Sequence, residues 1–154
     1  MTFPEFRYTY LNAKFNQPSQ NAPRNAPKRR KLQAASQSIN WVEEGVVPPI
    51  RDQGWCGSCW AFAASGGMET AKLIYDPQHY SPSNIHVSEQ QQVDCVHTSY
   101  GCEGGWSEDS FKVAISVGFT NGQAYQYTGT TGSCKRTGGE FKIYDYEHYK
   151  MTCE

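Results

Sequence analysis

Apolar positions along the chain fall into separated blocks whose periods differ. Phe3, Phe6, Tyr10, Leu11 and Phe15 mark a short amphipathic segment, and residues 16–27 then carry Pro18, Pro23 and Pro27 with no core former, the composition of a linker. From Ile39 the pattern changes to Trp41, Val46, Val47, Pro48, Pro49 and Ile50, an extended apolar entry in which the paired prolines forbid helix. Residues 58–75 are Ala-rich with apolar residues at helical spacing, which predicts a buried helix starting near Ser58, with Ser58 as its N-cap. Ser88-Glu89-Gln90-Gln91 has the form of a capping box, so a second helix is expected from Ser88 to near Cys95. Ser107, Glu108 and Asp109 precede Phe111, Val113, Ala114 and Val117, predicting a third helix with acids in its first turn and Gly118 at its C-cap. Residues 141–146 alternate like a strand. No internal repeat is present.

A length of 154 residues suits about one domain. With 38% hydrophobic residues, 19% charged residues and a formal net charge of -1, the composition points away from a nucleic-acid surface and toward a protein or peptide partner. The run Lys28-Arg29-Arg30-Lys31 lies in the Pro/Asn-rich tether with no second basic cluster after it, so it reads as a solvated patch or a processing site rather than a nuclear-localisation signal. No apolar run of about 18 residues offers a membrane span, and no h-region of a signal peptide opens the sequence. Cys56, Cys59, Cys95, Cys102, Cys134 and Cys153 nonetheless imply an oxidising compartment or a metal site. An oxidised protein without an export leader leads to the expectation that the N-terminus is incomplete.

The chemistry concentrates in Gln53-Gly54-Trp55-Cys56-Gly57-Ser58-Cys59-Trp60. A thiol in the first turn of a helix meets free backbone N–H groups and the positive end of the helix dipole, both of which favour the thiolate nucleophile. Cys59 is placed there. Gly54 and Gly57 let the backbone pass close to a bound substrate, and Gln53 is spaced to aim its amide at the same point. The Gln53 amide and the Cys59 N–H then form an expected oxyanion hole, each donor contributing about 3 kcal/mol to stabilising the charge on an attacked carbonyl. Acyl transfer is the chemistry implied.

Cys56-Gly57-Ser58-Cys59-Trp60 resembles the nucleophile signature of papain and the cathepsins. The resemblance extends to Ser38-Ile39-Asn40-Trp41 as the mature start, residues 45–54 as the approach to the site, residues 87–95 as the second helix, and residues 101–106 as the substrate-binding loop. It implies an α+β papain-like cysteine proteinase fold, represented mainly by the helical left domain plus the first strand of the β-rich right domain. It also implies a cysteine endopeptidase that works through a Cys59 acyl-enzyme. Cys59 is then the nucleophile and Gln53 the oxyanion donor. Gly57 lies at the substrate, Gly104 and Gly105 form the backbone edge that pairs with an extended peptide, and Trp106 flanks a subsite. Six thiols admit fifteen pairings; the resemblance selects Cys56 with Cys102 and Cys95 with Cys134, leaving Cys153 over. No cofactor or metal is expected. Peptide or protein substrates and cystatin-like inhibitors are the partners, the chain a monomer with no nucleic-acid or membrane partner, and the compartment lysosomal, vacuolar or secreted. Residues 1–11 resemble the end of an inhibitory propeptide, so residues 1–37 are read as a propeptide remnant and linker and residues 38–154 as the N-terminal part of the peptidase domain.

In that family the catalytic His and its orienting Asn lie far downstream, and the chain is expected to stop before them and to be inactive alone. His79, His86 and His97 read as surface or capping residues, and His148 sits in Glu147-His148-Tyr149, unlike the family's Asn-His-small pattern. A non-catalytic peptide-binding pseudoprotease is the main alternative. Trp55-Cys56-Gly57-Ser58-Cys59 also looks like a thiol-disulfide oxidoreductase motif, but such a motif follows a strand of a βα unit, whereas a proline-containing extended segment precedes it here. A zinc site lacks the second close cysteine pair that structural zinc prefers.

Overall fold

The structure is a computed structural model and describes residues 40–147; the expectations for residues 1–39, His148 and Cys153 lie outside them. Helix α1 runs Cys59–Tyr75, α2 Glu89–Cys95 and α3 Ser107–Ser116, with a 3₁₀ turn Gly101–Glu103 between α2 and α3. Helix α1 is central and packs against both of the others.

Trp60, Ala61, Ala64, Met68 and Leu73 are its buried apolar positions; the first four have the spacing of one helix face, and Leu73 is buried on another near the helix end. They meet Ile85, Val87, Val93, Val96, Ala114, Phe119 and Phe141 in one core. Burying a side chain the size of Met68 or Leu73 contributes about 1.5–3 kcal/mol, while the small Ala61 and Ala64 let neighbouring chain approach closely.

The helix ends differ in detail from their sequence signals. Ser58 does stand at the N-cap of α1, but its side chain makes no capping bond. Ser88 caps α2 by accepting from the Gln91 N–H at 3.0 Å, whereas the return bond of a capping box is replaced, because the Ser88 N–H donates to the Thr120 carbonyl at 3.0 Å. The Gln91 amide is thereby released to bind other loops. Helix α3 takes Trp106 as N-cap and Val117 as C-cap, with Gly118 just beyond, its N–H reaching the Val113 carbonyl at 3.1 Å.

Among the described residues extended pairing is limited to two antiparallel bridges, Val87 with Asn121 and Phe119 with Phe141. The alternating segment 141–146 therefore enters the fold through a single bridge at buried Phe141, with mutual Phe119 and Phe141 bonds of 3.0 and 2.9 Å. Side chains of α2 organise the rest of residues 117–139. Gln91 Nε2 donates to the carbonyls of Arg136 and Gly138, and its Oε1 accepts from the Thr120 N–H. Gln90 binds the Thr130 carbonyl and the Thr128 N–H, and Asp94 accepts from the Gly132 N–H and the Tyr125 hydroxyl. A short helix of buried polar residues thus supplies partners that a sheet would otherwise give to the loop backbone.

Candidate active site

Cys59 is the first residue of α1, half-buried, and the free cysteine among the described residues. Trp60 anchors that helix end: its ring is 3% exposed, its Nε1 donates to the Gly101 carbonyl at 3.0 Å, and its own carbonyl accepts from Ser107 Oγ at 3.0 Å. The first turn of α1 is thereby tied to the 3₁₀ turn and to the start of α3.

Cys56 bonds to Cys102, with Cα atoms 4.6 Å apart, and the Gly57 N–H donates to the Cys102 carbonyl at 2.8 Å. The loop before the nucleophile is thus fastened covalently and by hydrogen bond to the turn that leads into Gly104 and Gly105. Gly104 has φ 119, a conformation L side chains rarely adopt. At buried Gly105 a Cβ would stand 2.6 Å from Ser99 Cβ and 2.9 Å from the Trp60 ring, so only glycine fits against the anchor of α1. Trp106 follows half-buried at the N-cap of α3, its N–H donating to Ser99 Oγ at 3.3 Å. Cys95 pairs with Cys134, tying α2 to the loop its glutamines hold. Each bridge contributes about 2–4 kcal/mol in the chain-entropy picture.

The Gln53 amide donates to the Cys56 carbonyl at 2.9 Å. This folds the side chain back over its own loop and uses one of its two N–H groups. The Gln53 carbonyl accepts from the Tyr127 hydroxyl at 2.8 Å, and that hydroxyl lies 2.6 Å from Ser58 Oγ. Phe62 meets the Tyr127 ring edge-on at 5.0 Å between centroids. Burial pushes the Tyr127 hydroxyl up from its ordinary range, the Ser58 bond pulls it down, and the carboxylates of Glu89 and Asp52 add to the rise. Sequence reasoning missed Tyr127, since a tyrosine in a glycine-rich loop 68 positions beyond Cys59 carries no spacing signal.

His79 is paired with Asp76 at 2.6 Å and His86 with Glu89 at 2.9 Å. His97 is exposed and lines a cavity of about 450 Å³ beside Asp94, Tyr100, Thr131 and Cys134. Among the described residues no group of His, Cys, Asp and Glu is arranged to hold a metal ion. Cys56 and Cys59, the pair a redox motif would join, are not bonded to each other.

Residues 35–154 match the profile of the papain family cysteine proteases. The chain belongs to that family. Zingipain-1 of Zingiber officinale is 45% identical over 98 residues, which span 63% of this chain and 42% of its own length. Thiol protease aleurain of Arabidopsis thaliana is 36% identical over 141 residues, 88% of this chain and 36% of its own length. Digestive procathepsin L2 proteinase from Tenebrio molitor larval midgut superposes with a TM-score of 0.69 at 33% identity, covering 88% of this chain and 44% of that one. The Carica candamarcensis cysteine protease CMS1MS2, solved in complex with E-64, gives 0.62 at 33% identity over 70% of this chain and 49% of that one. This papain-family chain thus spans less than half the length of these relatives, and its mainly helical content is the helical side of their fold.

Proposed function

We propose that the chain supplies the nucleophile side of a cysteine endopeptidase. The observation that carries this is the placement of Cys59, a free thiol opening a buried helix whose approach loop is bonded through Cys56 to the Gly104–Gly105 turn. In this reading the Cys59 thiolate attacks the scissile carbonyl. The Cys59 N–H and the second N–H of the Gln53 amide receive the oxyanion. The substrate backbone lies along Gly104 and Gly105, near Gly57, with Trp106 beside a subsite. Collapse of the tetrahedral adduct expels the amine and leaves a thioester, which water then hydrolyses.

A proton carrier is needed for both steps, and among the described residues no histidine is hydrogen-bonded to Cys59: His79 pairs with Asp76, His86 pairs with Glu89, and His97 lines a cavity that does not include Cys59. The base and its orienting Asn are those that the resemblance puts in the β-rich side of the fold, the part of the relatives that residues 1–154 do not span. That no described histidine is bonded to Cys59 favours, as the second reading, a non-catalytic peptide-binding module built on the Gly104–Gly105 edge. Peptide and protein substrates, cystatin-like inhibitors, a monomeric state, a lysosomal, vacuolar or secreted compartment, and residues 1–37 as a propeptide remnant complete the proposal.

The test is labelling with E-64 followed by peptide mapping. Adduct on Cys59, lost in Cys59→Ala and weakened by Gln53→Ala, is the expected result. Labelling of another residue, or none on folded protein, overturns the protease reading.

A further inference from the structure

Ser58 stands where a serine ordinarily caps a helix, yet it makes no side-chain bond to the helix it opens. Its hydroxyl is turned instead to the Tyr127 hydroxyl, 2.6 Å away, and Tyr127 donates to the Gln53 carbonyl at 2.8 Å. A phenol has one proton and a carbonyl can only accept, so the Tyr127 proton goes to Gln53 and Ser58 is the donor in the shorter contact. The relay has one direction: Ser58 O–H to Tyr127 O–H to the Gln53 carbonyl. Ser58 is fully buried, and the edge-on Phe62 ring fixes the phenol in place.

A capping serine accepts from the second or third N–H of its helix, here Trp60 or Ala61. The Ala61 N–H is already bonded to the Ser58 carbonyl at 2.8 Å, which leaves the Trp60 N–H as the group a Ser58 hydroxyl would engage. Those first-turn N–H groups are also what a helix offers to an anion at its first residue, the position of Cys59. A capping hydroxyl and the thiolate would compete for the same positive helix end. We propose that Tyr127 is a positioning residue: it holds the Ser58 hydroxyl off the N-terminus of α1 and fixes the Gln53 backbone, keeping the helix end for Cys59. The inference rests on the reading of Cys59 as the nucleophile and adds the residue that prepares its site.

The experiment measures iodoacetamide alkylation of Cys59, resolved from other thiols by peptide mass spectrometry, in the folded 154-residue chain at about pH 6 and about pH 9.5. Tyr127→Phe keeps the ring and removes both hydrogen bonds, freeing Ser58 to cap. Its rate at pH 6 relative to pH 9.5 is expected to fall about two- to fivefold, the range of one helix-terminus interaction. Ser58→Ala has no oxygen with which to cap and keeps the wild-type ratio, and Ser58→Ala with Tyr127→Phe restores it. A merely structural role for Tyr127 would make the double variant as slow as the single one, and that result, or an unchanged ratio in Tyr127→Phe, overturns the inference. Should Tyr127→Phe fail to fold, Ser58→Asn, a strong neutral cap, is expected to slow alkylation at pH 6 where Ser58→Ala does not; equal rates overturn the inference. A wild-type ratio no higher than that of the denatured chain defeats the nucleophile reading itself and this inference with it. A higher wild-type ratio without an effect of Tyr127→Phe defeats only the inference.

Discussion

The Arg51 guanidinium reaches both carboxylate oxygens of Glu69, at 2.8 and 2.9 Å, and Glu69 is fully buried. The same arginine binds Glu89 at 2.7 Å, Glu89 binds His86 at 2.9 Å, and Glu69 accepts from the Val87 N–H at 2.7 Å. One cation from the extended entry thus joins a carboxylate of α1 to one of α2, fixing the strip of chain that leads into Gln53. Removing Glu69 leaves Arg51 with Glu89 but strips the buried Val87 N–H of its acceptor, at about 1–3 kcal/mol for an unsatisfied buried group. Glu69→Ala is therefore expected to lower the urea midpoint far more than Glu69→Gln, which keeps an acceptor for the Val87 N–H. Equal losses would show that the Val87 bond contributes nothing.

Burial is the largest influence on Glu69 and raises it above its ordinary 4.5, against the opposing pull of the Val87 N–H and Arg51. A carboxyl that holds its proton more tightly folded than unfolded lends stability that is full below the unfolded value and declines as pH rises through the window above 4.5. The Glu69→Gln side chain does not titrate. Its stability relative to wild type is expected to improve between about pH 4 and pH 7. A difference that moves the other way across this range would place the folded Glu69 below its unfolded value.

This cluster marks the limit of what the chain discloses before folding. Helices α1 and α3 were legible because their apolar positions repeat at helical spacing, and α2 and α3 because Ser88 and the acids after Ser107 are local start signals. The place of Cys59 in the first turn of α1 was legible for the same reason. Burial of Glu69, Glu89, Gln90, Gln91 and Gln92 was not, since a polar run normally reads as a solvated face and these residues are buried only because distant loops bring backbone groups to them. Residues 141–146 show the opposite mismatch: local alternation favours a strand, but pairing is a tertiary matter, and among the described residues Phe119 offers one bridge.

Gln91 gives this a measurable form. Its amide serves the Thr120 N–H and the carbonyls of Arg136 and Gly138. Gln91→Met keeps an unbranched side chain of similar length, so its cost reports unsatisfied polar groups rather than a cavity. At about 1–3 kcal/mol per buried group left without a partner, a loss of at least about 2 kcal/mol in chemical unfolding is expected. A loss under about 0.5 kcal/mol would mean that the loop backbone finds water instead.

Peptide mapping of folded protein without reductant is expected to recover Cys56 joined to Cys102 and Cys95 joined to Cys134, with Cys59 carrying the alkylating reagent. The chemistry proposed for Cys59 requires this, because a cysteine in a disulfide cannot attack. A dominant Cys56–Cys59 bridge would restore the redox reading.

The last expectation concerns turnover by residues 1–154 alone. A helix terminus favours a thiolate but does not shuttle a proton, and expulsion of the amine and attack of water both require a positioned acid or base. His79 is bonded to Asp76 and His86 to Glu89, and among the described residues neither is hydrogen-bonded to Cys59. General acid/base catalysis contributes about 10² to 10⁴-fold, and the chain is expected to cleave a fluorogenic peptide at least that much more slowly than a version extended by a relative's β-rich side. Chemical labelling of Cys59 should survive in both, since alkylation needs only the thiolate. Equal turnover by the short and extended proteins, abolished by Cys59→Ala, would place the base among the histidines of residues 1–154, and substituting His79, His86, His97 and His148 one at a time would identify it. Labelling of Cys59 without Cys59-dependent turnover in either protein would favour the non-catalytic peptide-binding reading.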